Sequence, residues 1–476
     1  MMKVTLVNPS PNAELKDRVK GEASWPPLGL LYVATVLEEA GVETSILDQP
    51  AKGYSIQETA DWVVRERPDV LGFSGLSMSG KTASLTSIEV KRRDPDLPII
   101  FGGLHATFNA ERVLRKYPSV DIAVRGEGEE TIVELTDALM SGAPLDGVIG
   151  ITYRRGESIV STPDRPLIED LDSLPFPDRG LLDDEYHSEI GGANVAVKKF
   201  TSVVSSRGCV FNCRFCCCHN IGRGRWRARS VDNTLEELHY LASEGFEQFI
   251  FIDDCFTLDP KRATEICRRM RKEGLEFDWI CEGRVDSSSQ EMMQEIAKAG
   301  CRILYLGIES ANQRVLDYYD KRVSPEQSVK AVDSARSAGI DVIMGTFIVG
   351  APDETREEIA NTLEFAKRLD IDIPQFNVLG VHPGMEIWDE LVSKGIVDVE
   401  DYWETGVGVS RICPTAVPFE EIRGMIKKGV NDFAYRPGFV LRQVSRTLTS
   451  PYRRGVVWNS LENLSELRKT FRDPMG

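Results

Sequence analysis

No stretch of this 476-residue chain stays apolar for the roughly 20 residues that a membrane-spanning helix needs. Met1–Ser10 lacks the charged, apolar and small-residue order of a secretory signal. The expected setting is therefore the cytoplasm, where thiols are kept reduced. Positive charge is in short supply: 57 Lys and Arg against 74 Asp and Glu leave a net −17, which argues against a general nucleic-acid binder. No fixed-period repeat or low-complexity tract is present. No Gly-x-Gly-x-x-Gly follows the first predicted strand, which weakens a dinucleotide reading despite Asp48 after the second. What remains is an ordinary globular composition, 42% hydrophobic and 28% charged, in a chain long enough for two or three domains. The charge is uneven. From Glu421 to Gly476 there are 11 Lys/Arg and 5 Asp/Glu, leaving that tail at +6 and the rest at −23. Such a tail suits a solvated helical surface, a cover over an anionic substrate, or a patch for acidic lipid headgroups.

The first 140 residues alternate buried-strand runs (KVTLVN, VETSILD, DVLGFSGL, LPIIFGG, VDIAV) with amphipathic runs such as LGLLYVATVLEEAG and SIQETADWVVRERP. Five strand–helix units predict an α/β fold with a doubly wound, Rossmann-like parallel sheet over residues 1–145, whose ligand side lies at the carboxyl ends of the strands. Those ends read Asn8-Pro9, Ser74-Gly75-Leu76, Gly102-Gly103 and Gly126-Glu127-Gly128. Residues 146–197 read as a linker, with four prolines between 161 and 180. Six further strand–helix units over 198–400 predict a partial (β/α)6 barrel or a second doubly wound sheet. Residues 401–476, broken by Pro418, Pro437 and Pro451, read as mainly helical.

Five of the ten cysteines fall within residues 205–220, where Cys209, Cys213 and Cys216 form C-x3-C-x2-C directly after a strand. A reducing compartment excludes a disulfide framework. Structural zinc wants four ligands, usually as two separated pairs. Cys217, Cys218 or His219 would complete four, yet no second C-x2-C pair exists. Three thiolates on an iron–sulfur cluster leave one iron open to a small molecule. Cys217 and Cys218 fit packed small residues, secondary ligands or redox partners. Cys255, Cys267, Cys281, Cys301 and Cys413 read as single buried thiols.

The cysteine spacing, with Phe215 before its last member, resembles the radical S-adenosylmethionine (SAM) superfamily over residues 198–390. FIDDCF (Asp253, Asp254) stands where that family's second strand meets the methionine amino group, although the usual Gly-Gly-Glu is missing. GIESAN (Glu309, Ser310) resembles its ribose-contacting strand, and FIVGAPDET (Ile348, Gly350, Pro352, Glu354) the segment beside the adenine. The resemblance implies a [4Fe-4S] cluster held by Cys209, Cys213 and Cys216, with SAM on the open iron cleaved to methionine and a 5′-deoxyadenosyl radical. WRARS (Trp226, Arg227, Arg229, Ser230) resembles a segment of the cobalamin-dependent members.

GFSGLSMS (Ser74, Leu76) and IIFGGLHAT (Gly102, Gly103) resemble cobalamin-binding domains, in which such segments receive the nucleotide tail; Gly126 and Glu127 end the next strand on the same edge. The D-x-H-x-x-G that supplies cobalt's histidine in the carriers is absent. Asn8–Gly29 holds no histidine, and His105 follows the wrong strand. Cobalamin without a protein histidine ligand is the expectation. Both halves together resemble cobalamin-dependent radical SAM enzymes, which include methylases of unactivated carbons and the anaerobic magnesium-protoporphyrin monomethyl ester cyclase. A methylase leads. A cyclase or rearrangement enzyme is the alternative, and a corrinoid carrier or sensor is the alternative from another class. Methylthiotransfer to tRNA would need a small basic β-barrel, whose alternation residues 401–476 lack. The expected partners are a small-molecule or lipid substrate, an electron donor such as ferredoxin or flavodoxin, no nucleic acid, and a peripheral membrane contact through the basic C-terminal region. Trp388, Tyr402 and Trp403 are candidates to line a substrate pocket.

Overall fold

Short runs of β-branched and aromatic residues, most of them followed by an amphipathic helix, build both sheets of the protein. The computed structural model describes residues 2–11, 25–183, 186, 188–190, 193–400, 402 and 414–461. The chain divides into two units: Met1–Glu185 with His382–Gly384 and Val397–Val409, and Tyr186–Val381 with Met385–Ile396 and Ser410–Gly476.

The first unit's sheet comprises β1 (Lys3–Asn8), β2 (Glu43–Asp48), β3 (Val70–Ser74), β4 (Ile99–Gly102), β5 (Ile122–Val124), β6 (Ile151–Arg155) and β7 (Ser158–Ser161), in the order 2-1-3-4-5-6-7. The first five are parallel. The order reverses between β1 and β3, the crevice where doubly wound sheets bind ligands. Val4, Leu6, Val70, Ile100, Ile122 and Val124 join Leu30, Ala34 and Leu37 of helix Leu28–Glu39 in the core of one face. Helix Ile56–Glu66 starts on a capping box between Ser55 and Glu58.

Residues 146–197 are more than the linker their prolines suggest. β6 and β7 add to the sheet edge antiparallel, with Ile151 and Tyr153 buried in the core. The Pro-rich stretch after them is tied down too: Ile168 N donates to Glu127 Oε2 at 2.8 Å and Asp178 N to Thr35 Oγ1 at 2.9 Å. Apolar alternation in ITY outweighs the loop-like composition that follows it.

In the second unit, a short hairpin of β8 (Glu189–Ile190) and β9 (Ala193–Asn194) precedes β10 (Phe200–Val203). A second hairpin pairs β11 (Ser206–Arg207) with β12 (Arg227–Ala228). β10, β13 (Gln248–Phe251), β14 (Asp278–Arg284), β15 (Cys301–Glu309), β16 (Val342–Val349) and β17 (Ile373–Val378) form one parallel sheet in chain order, the open partial barrel. Phe249, Phe251, Trp279, Cys281, Leu304, Leu306, Phe347 and Phe376 face the helices in one continuous core. Helices Phe419–Ala434, Pro437–Thr449 and Pro451–Leu461 complete the described chain. Their arginines close the foot of the sheet: Asp372 accepts from Ile343 N, Gln443, Arg446, Arg453 and Arg336. Two arginines of the tail, Arg446 and Arg453, are thus spent inside the protein. Among the described residues, no helix is long and apolar enough to cross a membrane.

Candidate active site

The cysteine loop leaves the end of β10 and is latched at both ends. Asp253, just beyond β13, accepts hydrogen bonds from Ser205 N (2.7 Å), Ser205 Oγ (2.7 Å) and Ser206 Oγ (2.5 Å). Asp254 Oδ2 accepts from Gly208 N at 2.8 Å. Farther along, Arg214 N donates to Tyr319 O, while its guanidinium grips Glu386 (2.7 Å) and Glu390 (2.5 Å). Phe215 packs edge-on against Tyr319. Arg229 of the WRARS segment is buried in an ion pair with Glu237 and donates to Val204 O, so it supports the loop from beneath.

Cys213 is buried, and Cys209 and Cys216 are half-buried. Burial pushes the Cys209 thiol up to about 11; it also raises Cys213, opposed by the Lys321 and Arg284 cations. Cys218 N donates to Cys216 Sγ at 3.4 Å. A hydrogen bond with the Cys218 thiol brings Cys217 down to about 7. Cys267, Cys281 and Cys301 lie in the helix-facing core as expected, and Cys255 is also buried. Cys413 and Trp403 fall outside the described residues.

Strand register defines the barrel lumen. Between the helix-facing positions, Ile280, Ile303 and Val342 share the lowest row; Glu282, Tyr305, Met344 and Ile373 form the next, and Arg284, Gly307, Thr346 and Gln375 the one nearest the carboxyl ends. Glu282 opens to the lumen, where desolvation by the surrounding strands, Asp254 and Glu309 push its carboxyl up to about 7, against the pull of Lys321. Burial and Glu282 raise Tyr305. Glu309 holds a left-handed φ of 64° and pairs with buried Lys321 at 2.6 Å. A strained non-glycine residue at a strand end points to a functional position. Gly350 N donates to Glu354 Oε2 at 2.5 Å, and Pro352 is half-buried beside it. Glu354 is buried, which raises it to about 7.

Three of the expected cofactor contacts are engaged in hydrogen bonds that hold the fold. Asp253 has both oxygens occupied by the cysteine loop. Ser310 is fully buried, with its Oγ accepting from Asn312 N and sharing a hydrogen bond with Thr362. Glu127 holds Ile168. Each sits at a strand end, where sequence order does not separate a ligand contact from a loop latch. Glu282, Arg284, Tyr305 and Lys321 were not anticipated, although alternation in DWICEGR marks Glu282 and Arg284 as polar positions on one face.

In the first unit, the carboxyl edge is open at several points. Leu76 and Met78 are exposed, and a methyl group on Gly126 would meet nothing within 4 Å. Ser74 lies beside Gly103, whose φ is +83°. Asp48 is buried and accepts from Asn8 Nδ2, which removes it as a ribose contact. His105 is buried against Gly80, and burial lowers it to about 4. Tyr402 is buried, with its hydroxyl 3.0 Å from His382 Nδ1 and engaged by Ser77. Trp388 is buried in helix Glu386–Ser393 of the second unit.

Comparison with known proteins matches residues 203–366 to the radical SAM superfamily and residues 17–136 to the B12 binding domain. A protein of Pyrococcus horikoshii named an uncharacterized methyltransferase, PH0819, is 34% identical over 95% of this chain and 99% of its own. The chain belongs to the cobalamin-dependent radical SAM family. Another relative of this radical SAM enzyme is the anaerobic magnesium-protoporphyrin IX monomethyl ester cyclase of Rubrivivax gelatinosus, 29% identical over 88% of this chain and 75% of that one. The solved structure of TsrM, a radical SAM methyltransferase from Kitasatospora setae with cobalamin and a [4Fe-4S] cluster bound, shares the fold. The TM-score is 0.65 and the identity 20%, over 83% of this chain and 75% of that one.

The family's cofactors are a [4Fe-4S] cluster, SAM and cobalamin. The thiols suit a cluster better than zinc. Among the described residues, no three His, Cys, Asp or Glu groups converge to hold one metal ion. Zinc needs all its ligands within about 2.3 Å of a single centre, whereas a cluster offers each thiolate a separate iron. The bare Gly126 and exposed Leu76 suit a large ligand lying across the carboxyl edge of the first sheet.

Proposed function

We propose that this radical SAM enzyme is a methyltransferase that acts through a 5′-deoxyadenosyl radical on an unactivated carbon of a small molecule. The similarity that covers 95% of this chain, both units included, to a protein named an uncharacterized methyltransferase carries the reading. When bound, the cluster supplies the electron that cleaves SAM, and cobalamin carries the methyl group. Cys209, Cys213 and Cys216 hold the cluster, and Arg214, Asp253 and Asp254 keep their loop in place. Asp254, Glu309, Gly350 and Pro352 stand along the lumen rim as SAM contacts. Ser74, Leu76, Gly102, Gly103 and Gly126 form the cobalamin edge, without a histidine below cobalt. A ferredoxin- or flavodoxin-type protein delivers the electron. The test is anaerobic reconstitution with SAM labelled in its methyl group. 5′-Deoxyadenosine must form, and must vanish when Cys209, Cys213 and Cys216 are replaced by Ala; persistence in that variant sinks the cluster assignment. A product free of label would favour the cyclase-type reaction instead.

One observation supports a peripheral membrane contact as well. Helix Pro437–Thr449 is inside out. Leu441 is 70% and Leu448 69% exposed, with Val440 and Val444 exposed between them, while Gln443 and Arg446 turn inward to Asp372 and Asp370. Trp458 of the next helix is exposed too, and Ala434 to Leu461 contains five arginines and no acid. An apolar face without acidic residues, flanked by exposed Arg442 and Arg454, is complementary to an anionic bilayer. Flotation with phosphatidylglycerol-containing vesicles should carry the protein, and Leu441→Glu with Leu448→Glu should abolish it. Self-association in solution, with no vesicle binding, would assign the face to a second copy.

A further inference from the structure

Arg284, the last residue of β14, is 6% exposed, and each edge of its guanidinium is occupied. Nε and Nη2 donate to the two oxygens of Asp286 at 2.9 and 3.0 Å. Nη2 also donates to Lys321 O at 2.8 Å. The plane lies 3.6 Å from the centroid of Phe211, on the cysteine loop itself. That grip leaves Nη1 directed at Cys213 Sγ, 3.6 Å away, a separation that a large sulfur acceptor accommodates. Asp286 fixes the fork from the far side, so the positive end of the pair faces the sulfur. Lys321, itself held by Glu309, adds a second cation near the same thiol.

A cluster ligated by three thiolates gains negative charge on reduction. A fixed cation that hydrogen-bonds a ligand sulfur stabilises the reduced form more than the oxidised one. Arginine does not lose its proton at working pH, so the influence is permanent rather than titrated. We propose that Arg284 is a positioning residue that orients Cys213 and raises the reduction potential of the cluster through a charge-assisted hydrogen bond to its sulfur. The consequence for the chemistry is direct: the easier the cluster is to reduce, the weaker the biological donor that suffices.

The inference rests on the reading of the three cysteines as cluster ligands, and the experiment separates the two. The full chain is reconstituted anaerobically without SAM, and the reduced-cluster electron paramagnetic resonance signal is followed in a redox titration. Arg284→Met should retain iron and shift the midpoint to a more negative potential. Arg284→Lys, which keeps the charge but loses the fork, should shift it less. Asp286→Asn loosens the grip and leaves the guanidinium in place; it should not shift the midpoint negatively, whereas a purely structural role would make it fall with Arg284→Met. Equal midpoints in wild type, Arg284→Met and Arg284→Lys would overturn the proposal. If Arg284→Met loses its cluster, Arg284→Lys decides alone. A wild type that assembles no cluster signal overturns the cluster reading itself.

Discussion

Three glycines on the carboxyl edge of the first sheet differ in one respect each, which makes them a controlled series. A methyl group on Gly103 would stand 2.8 Å from Gly75 O and 2.9 Å from Gly75 N, and the residue sits at φ +83°. On Gly126, at φ +75°, the methyl would meet nothing within 4 Å. Gly102 has an ordinary φ of −125°, and its nearest neighbour would be Phe73 O at 3.8 Å. Left-handed strain costs an alanine about 1–3 kcal/mol, offset by about 0.4–1 kcal/mol from the stiffer unfolded chain. Wedging a methyl into a closed contact adds about 1–3 kcal/mol. At Gly103 the wedge would also strain two hydrogen bonds, Gly75 N to Gly102 O and His105 N to Gly75 O. Gly103→Ala should therefore cost about 2–5 kcal/mol, Gly126→Ala about 1 kcal/mol, and Gly102→Ala within about 0.5 kcal/mol of zero. Urea unfolding of the full chain, followed by circular dichroism and fluorescence, reads this as a shift of the transition belonging to the first unit. A Gly126→Ala variant as damaged as Gly103→Ala would refute the packing argument, as would a Gly103→Ala variant of wild-type stability. Because Gly102→Ala leaves the fold alone, its retention of cobalamin tests whether ligand passes over that strand end.

Other outcomes follow from buried charge. His105, held near pKa 4 by burial, refuses a proton that the unfolded chain accepts below about pH 6.5. The first unit should be fully stable above that pH and lose up to about 3 kcal/mol as pH falls toward 4; His105→Met should flatten the profile in acid titrations monitored by circular dichroism. Asp372→Asn leaves Arg336 and Arg453 short of a counter-charge and should cost about 3–5 kcal/mol, seen as a drop in melting temperature of the second unit. Glu282, raised to about 7 among Asp254, Glu309, Lys321 and Tyr305, gains its charge as pH climbs through neutrality. Affinity for cationic SAM should rise over that interval in equilibrium binding, and Glu282→Gln should remove the dependence.

The strands were legible because their buried runs are short and regular, and C-x3-C-x2-C was legible because spacing along one loop survives folding. β6 and β7 were hidden by the prolines that follow them, although Ile151 and Tyr153 carry the alternation. The split roles at strand ends could not be read: Asp253 and Asp254 are adjacent, yet one is sealed under Ser205 and Ser206 while the other stays exposed. Arg284 and Lys321 reach the cysteines only through pairings distant in sequence. The arginines of the tail likewise acquire meaning only when Asp370 and Asp372 arrive beneath them.

The cysteine loop is held by carboxylates, a buried arginine and backbone hydrogen bonds, all supplied by the chain. A zinc finger, by contrast, draws its fold from the metal. The expected order of maturation is therefore chain first and cluster second, which hydrogen exchange of the loop in iron-free protein would check. Oxygen exposure would then strip iron from the protein without unfolding it, so damage would be repairable by reloading rather than by new synthesis.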